Sequence, residues 1–491
     1  MTFVKTTKSL CPVCGKLLDA EITEEDGAIW ICRTCPEHGY ARNLYWSSAE
    51  MYKRFDAYDR VGRGVENPNV ELTGECTTRC GLCANHKSGT LLANIDVTNR
   101  CNLKCEFCFA NAKACGYVYE PTFDEIVSML KLLRNEQPVA CPAVQFSGGE
   151  PTMRDDLADL IKKARELGFN QVQMASNGVK LAQKPNLAQE YRDAGLSTVY
   201  LHFDGVSKAT NPLLEKTSLP AIENCRKAGL GVVLVPTIIN GKNDHEIGDI
   251  IRFASKNVDI VRGVNFQPVA FTGAAKEDDV LRERITIPGI TRSIEEQLNG
   301  KLKSTDFYPI PSMMAICDLI ESYTGKPQIM FCAHPHCGAA TYGFVNGEGE
   351  LVPITRFVDV DEFIAQTAVM ADKFKNASKT RKYLAMATGL GKINKTVSKE
   401  EVEGIRIDLK KLIYDALVKH DYDSLGKFHE NALFIGTMHF MDSFNYDTER
   451  VSRCCIHYAT PDGRLIPFCT YNSGPTYREE VWKKGAKPLS E

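Results

Sequence analysis

The sequence predicts an α/β protein centred on a partial (β/α)6 barrel, with a small zinc-ribbon-like cysteine knuckle before it and a cysteine-rich region after it. Three observations predict this. Strand-like and helix-like segments alternate between residues 91 and 271. Several of the strands are rich in β-branched residues and apolar on both faces, the pattern of parallel strands covered on each side. The 19 cysteines cluster, most of them outside the alternating stretch.

The elements follow in order. Residues 91–98 (LLANIDVT) read as a strand. Residues 122–135 read as a helix, with Thr122 as N-cap and Glu125 at capping-box spacing. Strands are predicted at 143–148, 171–178, 197–205, 231–239 and 263–271, and helices at 154–168, 186–195, 219–229 and 243–257. Right-handed crossovers turn such a series into an open α/β barrel, which binds ligands at the carboxyl ends of its strands. A prior of roughly three domains at about 150 residues each suits a division into 1–45 (knuckle), 46–90 (link and a cysteine cluster), 91–280 (barrel) and 281–491 (cysteine-rich and substrate region). A short β-like piece is expected at 340–354.

Composition narrows the function classes. Charged residues make up 25% and hydrophobic residues 43%, an ordinary folded composition. The net charge of −3 argues against nucleic acid as a partner. No apolar run has the length of a membrane span or of a signal peptide, so a cytoplasmic location is expected. Reducing surroundings make metal ligation the expected use of so many cysteines.

The stretch after the first strand is Arg100-Cys101-Asn102-Leu103-Lys104-Cys105-Glu106-Phe107-Cys108. Three thiolates at C-x3-C-x2-C spacing can hold three irons of a [4Fe–4S] cube. The fourth iron is then open, as a site that binds substrate requires. Ser147-Gly148-Gly149-Glu150-Pro151 follows the second strand, Ser176-Asn177-Gly178 the third, and Asp204-Gly205 the fourth. Two successive glycines allow close approach of a ligand to the backbone.

Together these motifs resemble the radical S-adenosylmethionine superfamily. The resemblance implies that the open iron chelates S-adenosylmethionine, and that reductive cleavage yields a radical that abstracts a substrate hydrogen. It makes Cys101, Cys105 and Cys108 the catalytic cluster ligands. It places Phe107, Gly148, Gly149, Glu150, Pro151, Ser176, Asn177, Asp204 and Thr237 around the cofactor. It also implies an electron donor such as ferredoxin. His202, beside Asp204, can face the cofactor or sit as a satisfied buried histidine.

Cys11-x2-Cys14-x17-Cys32-x2-Cys35 reads as a closed four-thiolate site for one zinc or one iron. Cys76, Cys80 and Cys83 repeat the C-x3-C-x2-C spacing. With Cys332, Cys337, Cys454, Cys455 and Cys469 they make enough ligands for two auxiliary [4Fe–4S] clusters, in a partition left open by the spacing. His334 and His336 can be ligands or neighbours of ligands. Cys115, Cys141, Cys225 and Cys317 stand apart and read as core residues.

TTKSLCPVCGK (6–16), ECTTRCGLCANHKSGT (75–90), DVTNRCNLKCEFCFANA (96–112) and RCCIHYATPDGRLIPFCTYN (453–472) together resemble one archaeal subfamily across nearly the whole chain. Its members include tetraether lipid synthases and methylases of pterin precursors. The resemblance implies rubredoxin-like iron at the knuckle. It implies either carbon–carbon coupling of isoprenoid lipid chains, the leading expectation, or radical methylation of a pterin precursor or other small molecule. A non-enzymatic iron–sulfur electron carrier is the third reading. A basic stretch with interleaved apolar residues, 370–392, fits peripheral contact with a membrane surface and equally an ordinary solvated helix face.

Overall fold

The computed structural model describes residues 1–71, 76, 80–105, 108, 116–272, 277–375, 377–398, 402, 405, 432–473 and 477–487. The chain begins with four antiparallel strands paired in sequence order: β1 (Thr2–Leu10), β2 (Leu17–Glu25), β3 (Ala28–Cys35) and β4 (Gly39–Trp46). Asp26 and Gly27 both have positive φ, 52° and 72°, which matches the two-residue hairpin turn joining β2 to β3. Helix α1 (Ala49–Asp56) follows, capped by the Ser48 side chain on Met51 N. Its Tyr52 and Phe55, with Trp46, are fully buried in the same core as the barrel residues.

The barrel alternates as expected from the sequence. Strand β5 (Leu92–Thr98) is followed by the two-residue β6 (Val118–Tyr119) and α2 (Phe123–Arg134). Then come β7 (Ala143–Gly148), α3 (Leu157–Glu166), β8 (Gln171–Ser176), α4 (Val179–Gln183), α5 (Leu187–Ala194), β9 (Thr198–His202), α6 (Leu219–Lys227), β10 (Gly231–Val235), β11 (Thr237–Ile238), α7 (Ile247–Lys256) and β12 (Val261–Pro268). The Thr122–Glu125 capping box is formed in both directions. On α3, Leu157, Leu160 and Ile161 are 0% exposed, each such burial contributing roughly 1.5–3 kcal/mol. Cys141 and Cys225 lie in this core, and Cys317 is buried outside it, on the later helix Met314–Thr324.

Four expected strands end early; the fourth closes at His202 and the sixth at Pro268. The third stops at Ser176, because Gly178 turns the chain with φ 78°. The fifth breaks at Pro236, which has no N–H for a ladder, and resumes as β11 beside β12.

Residue 280 is not an edge of the sheet. After α8 (Glu277–Glu283) and α9 (Ile287–Gln297) come β13 (Tyr308–Pro309), α10 (Met314–Thr324), β14 (Gly338–Val345), β15 (Leu351–Pro353), α11 (Val360–Phe374), α12 (Lys379–Ile393), β16 (Ala432–Met438), β17 (Ile456–Ala459) and β18 (Leu465–Pro467). The last strand, β19 (Ala486–Lys487), pairs with β6. The main sheet runs β13-β14-β16-β12-β10-β9-β8-β7-β5-β17-β18. Strands β16 and β17 are parallel to the six barrel strands and flank them on opposite sides, against β12 and β5. The predicted β-like piece at 340–354 is the antiparallel pair β14–β15.

The segment 370–392 falls on α11 and α12. Met370, Phe374, Met386 and Leu390 are buried together with Leu319 of α10. These four apolar residues of the stretch are thus packed inside the protein, and no helix among the described residues is long and apolar enough to cross a membrane.

The connection 439–455 carries the chain from one side of the six-strand core to the other. Asp442, 0% exposed, anchors it. Its Oδ2 accepts from Phe271 N (2.8 Å) just beyond β12, and Arg284 Nη2 donates to both carboxylate oxygens (3.0 and 2.8 Å). Removing one partner of a buried pair strands the other charge, at about 3–5 kcal/mol. Asp442→Ala is therefore expected to lose that much in chemical denaturation, and Arg284→Met combined with Asp442→Leu to recover part of it.

Candidate active site and metal centres

The cysteine loop is held from beneath by the backbone of the β7 turn. Gly149 N donates to Thr98 O (2.7 Å) and Glu150 N to Arg100 O (2.9 Å). Gly148 has φ 122°, and a Cβ on it would stand 2.2 Å from Thr98 O; one on Gly149 would stand 2.4 Å from Arg100 O. The expected need for glycine is met, but what approaches is the root of the cysteine loop itself.

Glu150 is 1% exposed. Its Oε1 accepts from Thr152 N (3.2 Å), Thr152 Oγ1 (2.6 Å) and Ser176 Oγ (2.9 Å), and its Oε2 from Asn177 N (2.7 Å). Burial pushes its carboxyl pKa up, against the pull of these donors. The resemblance implied a carboxylate beside the cofactor. The structure shows one engaged by four donors of its own chain, linking the end of β7 to the end of β8. Pro151 opens the single 3-10 turn that presents Thr152.

Asn177 carries the linkage onward. Its Nδ2 donates to Asn102 Oδ1 at 2.7 Å and lies 3.9 Å from Cys101 Sγ. Asn102 was not singled out from the sequence; its place between two candidate ligands is the signal that marks it. Further round, Asp204 Oδ1 accepts from Thr237 N (2.9 Å), and Asp204 Oδ2 lies 3.0 Å from His202 Nε2. Burial works against a charged His202, but the Asp204 carboxylate outweighs it and the imidazole pKa is raised. Asn243 Nδ2 ties the carbonyls of Asp204 and Thr237 together (2.9 and 2.8 Å).

Cys105 is pushed up to about 11, by partial burial first and then by Cys108, Cys101 and Asp204. Thiols that raise one another cannot all ionise without a cation among them. That donor set fits a [4Fe–4S] cluster with three protein ligands. Phe107 lies outside the described residues.

In the N-terminal ribbon the metal-ligand geometry differs from the expected quartet. Cys11, Cys14, Cys35 and His38 bring their donor atoms within 4.8 Å of one another. Separations of 4.0 Å for Cys14–Cys35, 3.8 Å for Cys11–His38 and 3.5 Å for Cys35–His38 match the edges of a tetrahedron of metal–ligand bonds of about 2–2.3 Å. His38 holds the Cys35 thiol below its ordinary value. Cys32 is outside this group and sits against Thr23 Oγ1 (3.6 Å). The reason is periodicity: β3 runs through Cys35, and residues three apart on a strand face opposite ways. The Cys35-x2-His38 spacing was present in the sequence and carried the signal.

The late cysteines separate into two neighbourhoods. Cys332 and Cys455 share one buried cluster with Cys337 packed against it, and Cys469 shares another with Cys80. Cys454 is pushed up to about 12 by burial and by Cys337 and Cys80; Cys80 itself reaches about 12 through burial, Cys76 and Cys83. Cys469 is likewise raised by burial and by Cys454. His336 stacks on Tyr52 (3.7 Å between rings), and its Nε2 lies 3.1 Å from Tyr52 O. His334 gathers with Asp447 and Glu449, where the Lys5 ammonium supplies the positive charge, 2.7 Å from Glu449 Oε2 and 3.4 Å from His334 Nε2.

The ribbon geometry gives a direct test. His38→Ala is expected to remove the single ribbon metal, read by elemental analysis of the purified protein. Cys32→Ser is expected to keep it, because its sulfur points to the other face of β3.

Comparison with known proteins agrees with this layout. Residues 95–254 match the model of the radical SAM superfamily, and residues 3–47 match the HMPTM N-terminal zinc ribbon domain. The 7,8-dihydro-6-hydroxymethylpterin dimethyltransferase of Methanocaldococcus jannaschii is 48% identical, over 99% of this chain and 96% of that protein. The GTP 3',8-cyclase of Marinobacter nauticus is 28% identical over 41% of this chain and 54% of its own length. Among solved structures, Streptococcus suis SuiB aligns with a TM-score of 0.34 and 17% identity, covering 44% of this chain and 47% of that one. The 48% identity to the Methanocaldococcus protein over nearly the full length of both chains shows that this chain belongs to the radical SAM superfamily, as an enzyme using S-adenosylmethionine, a [4Fe–4S] cluster and a separate mononuclear metal site.

Proposed function

We propose that this enzyme methylates an unactivated carbon of a reduced pterin or a closely similar heterocycle. The observation that carries the reading is the 48% identity to a pterin dimethyltransferase across 96% of that relative. The sequence had favoured coupling of isoprenoid lipid chains, with pterin methylation as its alternative. The alternative is now the better supported. In the basic stretch that spoke for a lipid surface, Met370, Phe374, Met386 and Leu390 pack inward.

In this reading Cys101, Cys105 and Cys108 hold the catalytic cluster. Bound together, the cluster and S-adenosylmethionine supply hydrogen-atom abstraction at carbon. The chain's own residues set the geometry. Glu150 fixes the ends of β7 and β8 relative to the loop root, Asn177 and Asn102 brace the first cysteine, and Asp204 with Thr237 and Asn243 shapes the far side. The remaining cysteines, Cys76, Cys80, Cys83, Cys332, Cys337, Cys454, Cys455 and Cys469, are read as ligands of auxiliary iron–sulfur centres, since the buried ones, Cys80, Cys332, Cys455 and Cys469, lie in pairs that need metal to carry thiolate charge. The enzyme needs a small-molecule substrate and an electron donor.

The test is anaerobic turnover of reconstituted, dithionite-reduced enzyme with S-adenosylmethionine and 7,8-dihydro-6-hydroxymethylpterin, with an archaeal diether lipid in a parallel reaction, both read by mass spectrometry. Deoxyadenosine with a methylated pterin is expected. Deoxyadenosine with coupled or dehydrogenated lipid chains, and an unchanged pterin, would overturn the proposal in favour of carbon–carbon coupling. Cys105→Ala is expected to bring deoxyadenosine to background and to lower the iron content by about four atoms per chain, leaving the ribbon metal in place.

A further inference from the structure

We propose that Arg450 is the counter-ion of a metal–thiolate centre held by Cys337 and its neighbours, and that its charge sets the reduction potential of that centre. The proposal rests on the auxiliary-centre reading above and is independent of the substrate.

Arg450 belongs to the short helix Thr448–Ser452, within the connection that crosses between β16 and β17, and is 1% exposed. A guanidinium stays protonated in proteins, so this is a buried cation. Its Nε donates to Cys337 Sγ at 3.4 Å. Its Nη2 donates to the carbonyl of His439, the residue whose own N–H bonds Cys337 O at 2.9 Å. Its Nη1 meets no acceptor among the described residues. The Tyr45 ring lies 5.8 Å from the guanidinium carbon.

No carboxylate is among these partners, unlike the nearby buried arginines: Arg284 has Asp442, and Arg453 has Asp59. A buried charge without a counter-charge is strongly disfavoured. The groups around Arg450 able to supply negative charge are the sulfurs of Cys337 and Cys469 and the Tyr45 phenol, and burial holds that phenol protonated. A neutral thiol accepts a hydrogen bond but balances no charge. A thiolate bound to an iron–sulfur centre does both. Hydrogen bonds to ligand sulfur and net charge nearby are among the factors that fix the potential of such centres.

The sign follows. A fixed positive charge favours the reduced, more negative centre, so removing it lowers the potential. The experiment is an EPR-monitored redox titration of reconstituted full-length Arg450→Met and Arg450→Lys beside the wild type, with iron and sulfide content measured first. The catalytic cluster is recognised by the change in its signal when S-adenosylmethionine is added. Arg450→Met is expected to shift one other signal to a more negative midpoint, with the catalytic signal unmoved, and Arg450→Lys to stay near the wild type. An iron-replete Arg450→Met with every midpoint unchanged overturns the proposal. If Arg450→Met loses iron, the expected result is that Arg450→Lys keeps it at a near-native midpoint; loss of iron in Arg450→Lys as well overturns a role for charge.

Discussion

The buried carboxylate of Glu150 is the constraint on which the rest of the site depends. Taking a carboxylate out of water is tolerated when its oxygens are saturated by donors, and here four donors from two successive turns do so. The arrangement fixes the spacing between the ends of β7 and β8. The backbone of the same turn then lies on Thr98 and Arg100, so the cysteine loop starts from a fixed platform. A loop ligating a reactive metal must hold its thiols in place without closing the open coordination position. Support from below, through glycines that let two backbones touch, satisfies both demands.

The same logic of charge runs through the rest of the molecule. Cys80, Cys454 and Cys469 sit where thiolates are disfavoured by burial, and neighbouring cysteines compound the penalty. Metal converts this from a liability into folding free energy. The ribbon shows it on a small scale, in a quartet that includes an imidazole. The connection 439–455 shows it on a larger one, bringing Asp442, Asp447, Arg450 and Arg453 into the interior, with Asp442, Arg450 and Arg453 matched to a partner from elsewhere in the chain, and Asp447 accepting from Thr7 Oγ1 at 2.6 Å and Tyr45 OH at 2.8 Å.

Much of the barrel was legible because local signals and the global fold agree there. Apolar runs, glycine stops and the Thr122 capping box each mark an element that the structure contains. The flanking strands were not legible. IHYA and ALFIGTM are short, lie far along the chain from the strands they join, and have no alternating helix between them to announce a parallel ladder. In the ribbon, Cys32 and Cys35 look like a paired knuckle until the strand is known to continue through both. The motif residues Gly148, Gly149, Glu150, Ser176 and Asn177 were found by pattern, but the pattern carries no information on whether a side chain faces a ligand or its own backbone; only the contacts distinguish these.

The order of strands in the sheet has a consequence for synthesis. Strands β5 through β12 can pair as soon as they have left the ribosome, as domains generally fold from the N-terminal end. Until residues 432–459 follow, both margins of that ladder present unpaired N–H and C=O groups, the arrangement that recruits strands from other chains. One late segment supplies the cover for both margins, through β16 and β17. A nascent chain stalled before it would be adhesive at two edges at once, whereas the finished chain conceals them together. Completion of the C-terminal segment is therefore the step at which this protein passes from an aggregation-prone intermediate to a self-contained molecule.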